Sequence, residues 1–296
     1  MDISVIIVNY NTCKVTCECL DSIFKYSKDI EFEVIVVDND STRDNSKNIL
    51  SQYPGIKYVQ SNENIGFGKA NNLGFSYSKG DLILLLNSDT YLINNALKIF
   101  VDRFKTMDSS IGCIGSILLS PDMEPVNSYN NFHSIKSSIQ DTYNAYLNKF
   151  SFKVKQTRSG TKGVNMVVPY IVGADLCIRR SVIEECGLFD PDFFMYYEDV
   201  ELQKRYLRNG YHSFIIDGPK IVHLECVSSK GTSSKASFFH KSIYLQGQLL
   251  YYKKVYPIWQ YFLWRLFFVS NIPFFVKSWF SVKENLFLLK LFFCKL

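Results

Sequence analysis

The chain has 296 residues, 47% of them apolar and 21% charged, long enough to bury a core and too apolar for a disordered segment. Its formal charge of +5 is uneven: from Lys241 onward eight Lys or Arg stand against the single Glu284, a local +7 that leaves −2 for residues 1–240. The excess charge therefore belongs to the tail, which excludes a broad nucleic-acid surface on the main body.

The first half alternates strand and helix patterns. Ile3–Val8 reads as a strand that runs into Asn9-Tyr10-Asn11, and Thr16–Lys25 places Leu20, Ile23 and Phe24 on one helical face. Glu33–Val37 is a second strand, ending in Asp38-Asn39-Asp40, and Ser41-Thr42-Arg43-Asp44 caps a helix from about Asn45. After a turn at Tyr53-Pro54-Gly55 come a strand over Ile56–Val59, a helix over Ile65–Ser76 and a turn at Lys79-Gly80-Asp81. Leu82 to Leu86 are five consecutive branched apolar residues, the pattern of a strand buried on both faces. It runs straight into Asn87, Ser88 and Asp89. A helix over 95–105 and a strand over 111–119 follow. The order implies a parallel sheet with right-handed crossovers, in which ligands bind beyond the carboxyl ends of the strands. Three polar strand ends point to one crevice.

From Ser120 to Val164 the pattern weakens among prolines, serines and asparagines, and is read as a mobile insertion near that crevice. Met166–Val172 is a strand, followed by Gly173-Ala174-Asp175 and a helix near Ser181–Cys186. Another helix opens with Glu198, Asp199 and Glu201, carboxylates that suit the helix dipole, and stops at Asn209-Gly210. Strands over 211–216 and 220–224 bring in His223. The eight cysteines form no CxxC pair, several lie in apolar patterns, and the first residues open a strand without a leader pattern. A reducing, cytoplasmic compartment is expected.

Residues 241–296 form a separate helical tail, behind a main domain over 1–240. From 243 on, Tyr, Trp, Phe and Leu dominate, punctuated by Lys and Arg. The longest charge-free run, Leu266–Val276, is 11 residues and holds Pro273, too short to span a bilayer, which takes roughly 20 apolar residues. The tail is expected to lie at a membrane interface, with an aromatic core helix pair or a homodimer contact as the competing reading.

Taken together, the motifs resemble family-2 glycosyltransferases with the GT-A fold. Ser4-Val5-Ile6-Ile7-Val8-Asn9-Tyr10-Asn11 looks like the family's opening, with Val36-Val37-Asp38-Asn39-Asp40-Ser41-Thr42 after it. Asn64 to Asn72 and Leu86-Asn87-Ser88-Asp89 continue the series. Gly173-Ala174, Gly187-Leu188-Phe189-Asp190 and Tyr197-Glu198-Asp199-Val200-Glu201-Leu202 complete it in the family's order, over about residues 1–230. The chain is most similar to the rhamnosyltransferase-like branch that builds bacterial surface polysaccharides. The resemblance implies a Rossmann-like, mostly parallel sheet flanked by helices. It also implies inverting transfer of a sugar, rhamnose among the candidates, from a nucleotide-diphosphate donor to a saccharide or lipid-linked acceptor. Mg²⁺ or Mn²⁺ is the implied cofactor and the inner face of the cell membrane the implied location.

Residue by residue, the resemblance assigns Asp89 to metal and donor phosphates and His223 to a further metal ligand. Asp38 takes the nucleobase, with Asn9, Tyr10, Asn11 and Asp40 beside it. Gly66, Phe67 and Asn71 line the donor, Gly173, Ala174 and Asp175 stand on the acceptor side, and Asp199 is the general base with Glu198 as its neighbour. Many relatives have an Asp where this chain has Asn87, which offers a carbonyl oxygen and no charge. That departure keeps open a nucleotide-binding scaffold with a decayed site. A dinucleotide-dependent oxidoreductase is the weaker alternative, because Gly66-Phe67-Gly68-Lys69-Ala70-Asn71 follows the third strand and ends in Asn.

Overall fold

In the computed structural model, residues 1–137, 160, 161, 163–224, 234–270, 286, 287 and 290 are described. Strand β1 (Ile3–Asn9) pairs in parallel with β2 (Phe32–Asp38) on one side and with β4 (Leu82–Asn87) on the other. Apolar side chains on both faces are what a strand in that position needs. Ile3, Val5 and Ile7 point to one layer, Ile6 to the other, and all are buried. Strand β3 (Ile56–Gln60) extends the parallel half beyond β2. On the far side of β4, strand β10 (Asp175–Arg179) runs antiparallel, followed by β6 (Ile111–Gly115), β11 (His212–Ile215) and β8 (Met166–Val168). The eight-stranded order is β3-β2-β1-β4-β10-β6-β11-β8.

Helices α1 (Cys13–Tyr26) and α4 (Ala96–Thr106), with the short α2 (Ser46–Leu50), cover one face through Leu20, Ile23, Leu50, Leu97 and Phe100. Helices α3 (Phe67–Phe75), α5 (Arg180–Cys186) and α6 (Glu198–Arg208) cover the other through Ala70, Val182, Ile183, Leu202 and Tyr206. The buried cysteines Cys13, Cys19, Cys113 and Cys177 are free thiols packed as small apolar groups; Cys226 and Cys294 lie outside the described residues.

The structure departs from the sequence reading in five places. Strand β10 is not among the strands expected from the sequence, because five residues bounded by Asp and Arg show no period of their own. The strand expected over 111–119 stops at Gly115, and that over 166–172 splits at Pro169, which has no N–H for a ladder, into β8 and β9 (Tyr170–Ile171). Helix α1 starts a turn early, at Cys13, whose N–H donates to Asp44 Oδ2 at 2.8 Å. Helix α3 starts late, after Gly66 at φ 85°. Of the 120–164 insertion, 138–159 and 162 lie outside the described residues. Its described part is tied down by a bridge from Leu119 to Pro125 and by β7 (Tyr129–Asn130) pairing with β9.

The chain divides into two compact units. The one just described holds residues 1–131, the described part of 159–194, and 198–224. The other holds 132–137, Met195–Tyr197 and the described residues from 234 on. Its frame is α7 (Ser234–Val255) and α8 (Ile258–Ser270), separated at Pro257. Tyr251, Tyr252 and Trp264 are fully buried, and the Tyr252 and Trp264 rings stack at 4.3 Å and 25°. The phenols of Tyr252 and Tyr256 donate to the carbonyls of Ser134 (2.9 Å) and His133 (2.6 Å), so their polar ends are satisfied inside an aromatic core. Among the described residues no helix is long and apolar enough to cross a membrane.

Tyr196 and Tyr197 both have left-handed backbone, at φ 70° and 69°. For residues with a Cβ this costs roughly 1–2 kcal/mol each, so the surroundings must hold them there. The Tyr196 carbonyl lies against α7 where a Cβ on Gly247 would stand 2.6 Å from it, and Tyr197 donates its phenol proton to Tyr244 at 2.9 Å. Gly247→Ala should therefore lower the unfolding midpoint in urea by an amount worth about 1–3 kcal/mol, although alanine is the better helix former. An unchanged or raised midpoint would mean that the 195–197 segment yields freely.

Candidate active site

Strand β4 leaves the core at Asn87, whose N–H donates to the Ala174 carbonyl at 3.0 Å. The next residue along the neighbouring segment, Gly173, donates its own N–H to Asp199 Oδ2 at 3.1 Å. Two consecutive residues therefore bind the end of the central strand on one side and the first turn of α6 on the other. A Cβ on Gly173 would meet Asp199 Oδ2 at 3.5 Å, so the contact is close without crowding. Helix α6 is fixed one turn further along by Gln203, one of the residues that sequence reasoning missed. Its buried amide accepts from Ile171 N–H at 2.8 Å and donates to Ile171 O at 2.7 Å, replacing a strand partner for β9. The signal was there: an amide four residues after Asp199, on the same helical face.

Beyond Asn87 the chain turns into β5 (Thr90–Leu92), which pairs antiparallel with β12 (Ile221–His223) and sets His223 opposite Thr90. The pairing brings His223 Nε2 to 3.3 Å from Asp89 Oδ1, with both side chains mostly buried. An oxygen and an imidazole nitrogen converging at a strand end fit a divalent cation that keeps most of its coordination for water and phosphate oxygens. Among the described residues no group of three or more His, Cys, Asp or Glu could hold a metal unaided.

The ends of β1 and β2 are braced from within. Asn9, fully buried, has its Nδ2 within 2.9 Å of Ser46 Oγ and 3.0 Å of Ser41 Oγ, while Thr16 and Thr12 donate to its Oδ1. Asn11 (φ 57°) accepts at Oδ1 from the N–H groups of Thr42 and Arg43. Asp38 accepts from Ser41 N–H and from the Tyr58 phenol and is 0% exposed. In this arrangement it supports the loop and shows no surface to a nucleobase. At these strand ends Tyr10 is exposed and Asn11 and Asp40 are partly so, Asp40 with left-handed backbone at φ 64°.

The glycines expected to approach a donor make room for the chain itself. A Cβ on Gly66 would stand 2.3 Å from the Phe194 carbonyl, which accepts the Phe67 N–H at 2.9 Å, and one on Gly68 would press on Phe189. Asn71 is buried and donates to Phe67 O, whereas Asn72 clasps Phe189 from both sides of its amide, at 2.7 and 3.0 Å. Asn72 is a second residue that sequence reasoning missed, since adjacent asparagines do not declare which one faces out.

Asp199 is half-buried, and burial pushes its pKa up against the pull of the Gly173 and Val200 N–H groups. Glu198, buried with Oε2 unpartnered, is pushed up by the same desolvation and then by the charge of Asp199. The pair titrates as a unit and holds a proton more readily than free carboxylates do. Asp175, on the segment expected to face an acceptor, lies fully buried in β10. Its Oδ2 accepts from the Ser116 N–H and Oγ at 2.8 and 2.6 Å, and Oδ1 has no partner.

Comparison with known proteins identifies the group. The model of Glycosyl transferase family 2 matches residues 4–187. The chain belongs to this family. Among its relatives is the N-acetylglucosaminyl-diphospho-decaprenol L-rhamnosyltransferase of Mycobacterium tuberculosis, 24% identical over 72% of this chain and 73% of that protein. Another is the rhamnosyltransferase WbbL of Escherichia coli K12, 24% identical over 72% of this chain and 80% of that protein. Similar solved structures are glycosyltransferases. A mannosyltransferase from Pyrobaculum calidifontis, in complex with GDP-Man and Mn²⁺, has a TM-score of 0.55 at 16% identity, over 97% of this chain and 78% of that one. GalNAc-T7 with UDP, GalNAc and Mn²⁺ has a TM-score of 0.58 at 14% identity, over 85% of this chain and half of that one. They show the fold, GT-A, and agree with the mixed sheet found here. The family-2 sequence over 4–187 thus includes all three strand ends and the Gly173-Ala174 segment, and displaces the oxidoreductase alternative.

Burial pushes the Asp175 carboxyl up to about 7, against the Ser116 hydrogen bonds. The folded chain then holds a proton that the unfolded chain, with an ordinary Asp near 3.9, has released. The stabilisation is complete below about pH 4 and is lost as pH rises through about 7. Asp175→Asn should flatten this slope, so that the variant gains on the native protein between pH 5 and pH 8 in urea unfolding. A parallel pH dependence in both proteins would show Asp175 ionised at no cost.

Proposed function

We propose that this family-2 protein is an inverting glycosyltransferase that moves a sugar from a nucleoside-diphosphate donor to a saccharide or lipid-linked acceptor in surface-polysaccharide synthesis. Rhamnose is the first candidate sugar, because two relatives are named as rhamnosyltransferases. The observation that carries the reading is the Gly173-Ala174 segment, which ties Asn87, two residues before Asp89, to the Asp199 carboxylate. A donor-side strand end and a half-buried base on one crevice are the two parts a direct displacement needs.

In the proposed reaction the acceptor hydroxyl attacks the anomeric carbon as the bond to the diphosphate oxygen breaks. The nucleoside diphosphate leaves with that electron pair, and the hydroxyl proton passes to Asp199, inverting the anomeric centre. Desolvation raises the basicity of Asp199, and the Gly173 N–H orients it. Glu198 would hold its proton, which limits the charge beside the base. Asp89 and His223 are the residues that would hold Mn²⁺ or Mg²⁺, whose chemistry is to neutralise charge on the departing diphosphate. Asn87 offers a neutral carbonyl oxygen there, which lowers the charge of the site without closing it. Tyr10 and Asp40 would meet the nucleoside, with Asp38 bracing them from below. Work on lipid-linked acceptors would place the enzyme at the inner face of the cell membrane.

Asp199→Asn keeps size and loses basicity. Turnover should fall by about 100-fold or more while nucleotide affinity holds. The acid limb of the rate profile, expected above the usual aspartate range, should disappear with it. If Glu198→Gln is the severe variant and Asp199→Asn the mild one, the roles within the pair are reversed.

A further inference from the structure

Helix α8 is apolar on two opposite sides, and only one of them is used. Tyr261 and Trp264 are buried in the aromatic core with Tyr252. Ile258, Trp259, Phe262, Leu263 and Leu266 are 59, 60, 54, 56 and 66% exposed. Their spacing, with 258, 262 and 266 in one row and 259 and 263 in the next, makes a continuous stripe along the helix. A helix that is apolar all round is normally covered all round, and an exposed stripe of large side chains marks a surface that meets something apolar.

We infer that this stripe is a monotopic docking face for an anionic lipid bilayer, with α8 lying in the plane of the interface and Trp259, Phe262, Leu263 and Leu266 entering the acyl boundary. The charge of the segment selects this occupant. Between Glu225 and Glu284 the sequence has no acidic residue, and it carries Lys230, Lys235, Lys241, Lys253, Lys254, Arg265, Lys277 and Lys283. Lys253 and Lys254 are exposed at the end of α7, immediately before the stripe. A second copy joined through this segment would set cations against cations with no carboxylate to answer them, whereas phosphatidylglycerol-type headgroups supply the complement. Large aromatic and aliphatic side chains beside basic ones are the composition of an interfacial helix, and among the described residues no helix is long and apolar enough to cross a membrane.

The face bears on the proposed transfer only in bringing a lipid-linked acceptor within reach, so vesicle binding tests it in the absence of donor, and donor hydrolysis serves as the control. Truncation of the tail is unsuitable, because α7 carries the buried Tyr251 and Tyr252. Point changes on the exposed stripe leave that core intact. The full-length protein should co-sediment with vesicles of phosphatidylcholine containing phosphatidylglycerol, more weakly with phosphatidylcholine alone, and less as salt rises. Phe262→Ser with Leu266→Ser should reduce the partition coefficient by about ten-fold or more, with an unchanged circular dichroism spectrum and unchanged donor hydrolysis. Trp259→Ser should act in the same direction if the double variant folds poorly. Failure of the folded full-length chain to bind anionic vesicles would overturn the inference, as would binding that both variants leave untouched. So would a lipid-free oligomer that these changes convert to monomers, which would make the stripe a contact between copies. Absence of donor hydrolysis from a full-length protein that binds the vesicles would count against the transferase reading alone.

Discussion

Gly173 and Ala174 are the constraint on which the site depends. The Ala174 carbonyl accepts the N–H at the end of the central strand, and the Gly173 N–H goes to the carboxylate of Asp199. Both groups belong to the main chain, so their spacing is fixed by the covalent geometry of one dipeptide rather than by side-chain rotamers. Strand β10 starts at the next residue and is held in antiparallel register by β4. Any shift of the dipeptide would therefore cost ladder hydrogen bonds in the middle of the sheet.

Uncharged amides do most of the remaining positioning. Asn9 gathers the loops after β1 and β2, Asn39 holds the approach to α3 through Asn64 and Ile65, Asn72 clasps Phe189, and Gln203 pairs with Ile171. An amide supplies donor and acceptor together and needs no counter-charge, so it can be buried where a carboxylate would be penalised. That penalty shows at Asp175 and at the Glu198–Asp199 pair, which hold protons more tightly than free carboxylates. At Asp175 burial serves the fold. At Asp199 it raises basicity, as the proposed proton abstraction requires.

The parallel half of the sheet was legible because β1, β2 and β4 are apolar runs that end in polar clusters. The family series from Asn9 to Asp199 was legible as motifs. Strand β10 was not, since a five-residue strand placed by its neighbours carries no period of its own. The direction in which a strand-end side chain turns was equally hidden: Asn9 and Asp38 face inward, while Tyr10 faces solvent. The Asp89–His223 approach depends on β5 pairing with β12, far from it in sequence, a tertiary fact with no local signature. In the tail, composition announced an apolar, basic segment. Only the packing separates the half that forms a core, at Tyr252 and Trp264, from the half that does not, at Trp259 and Phe262.

The end of β4 is the proposed donor-diphosphate site, and Asp89 is the residue on which that assignment turns. Calorimetric titration of the full-length protein with a panel of nucleoside diphosphates, with and without Mn²⁺, should find at least one that binds only when the cation is present. Asp89→Ala should weaken that binding by about ten-fold or more, the loss of a charged contact to a bound cation and its phosphates, with unfolding behaviour preserved because the residue stands at a strand end. Unchanged affinity in the folded Asp89→Ala protein, or binding indifferent to the cation, would remove the diphosphate from the end of β4.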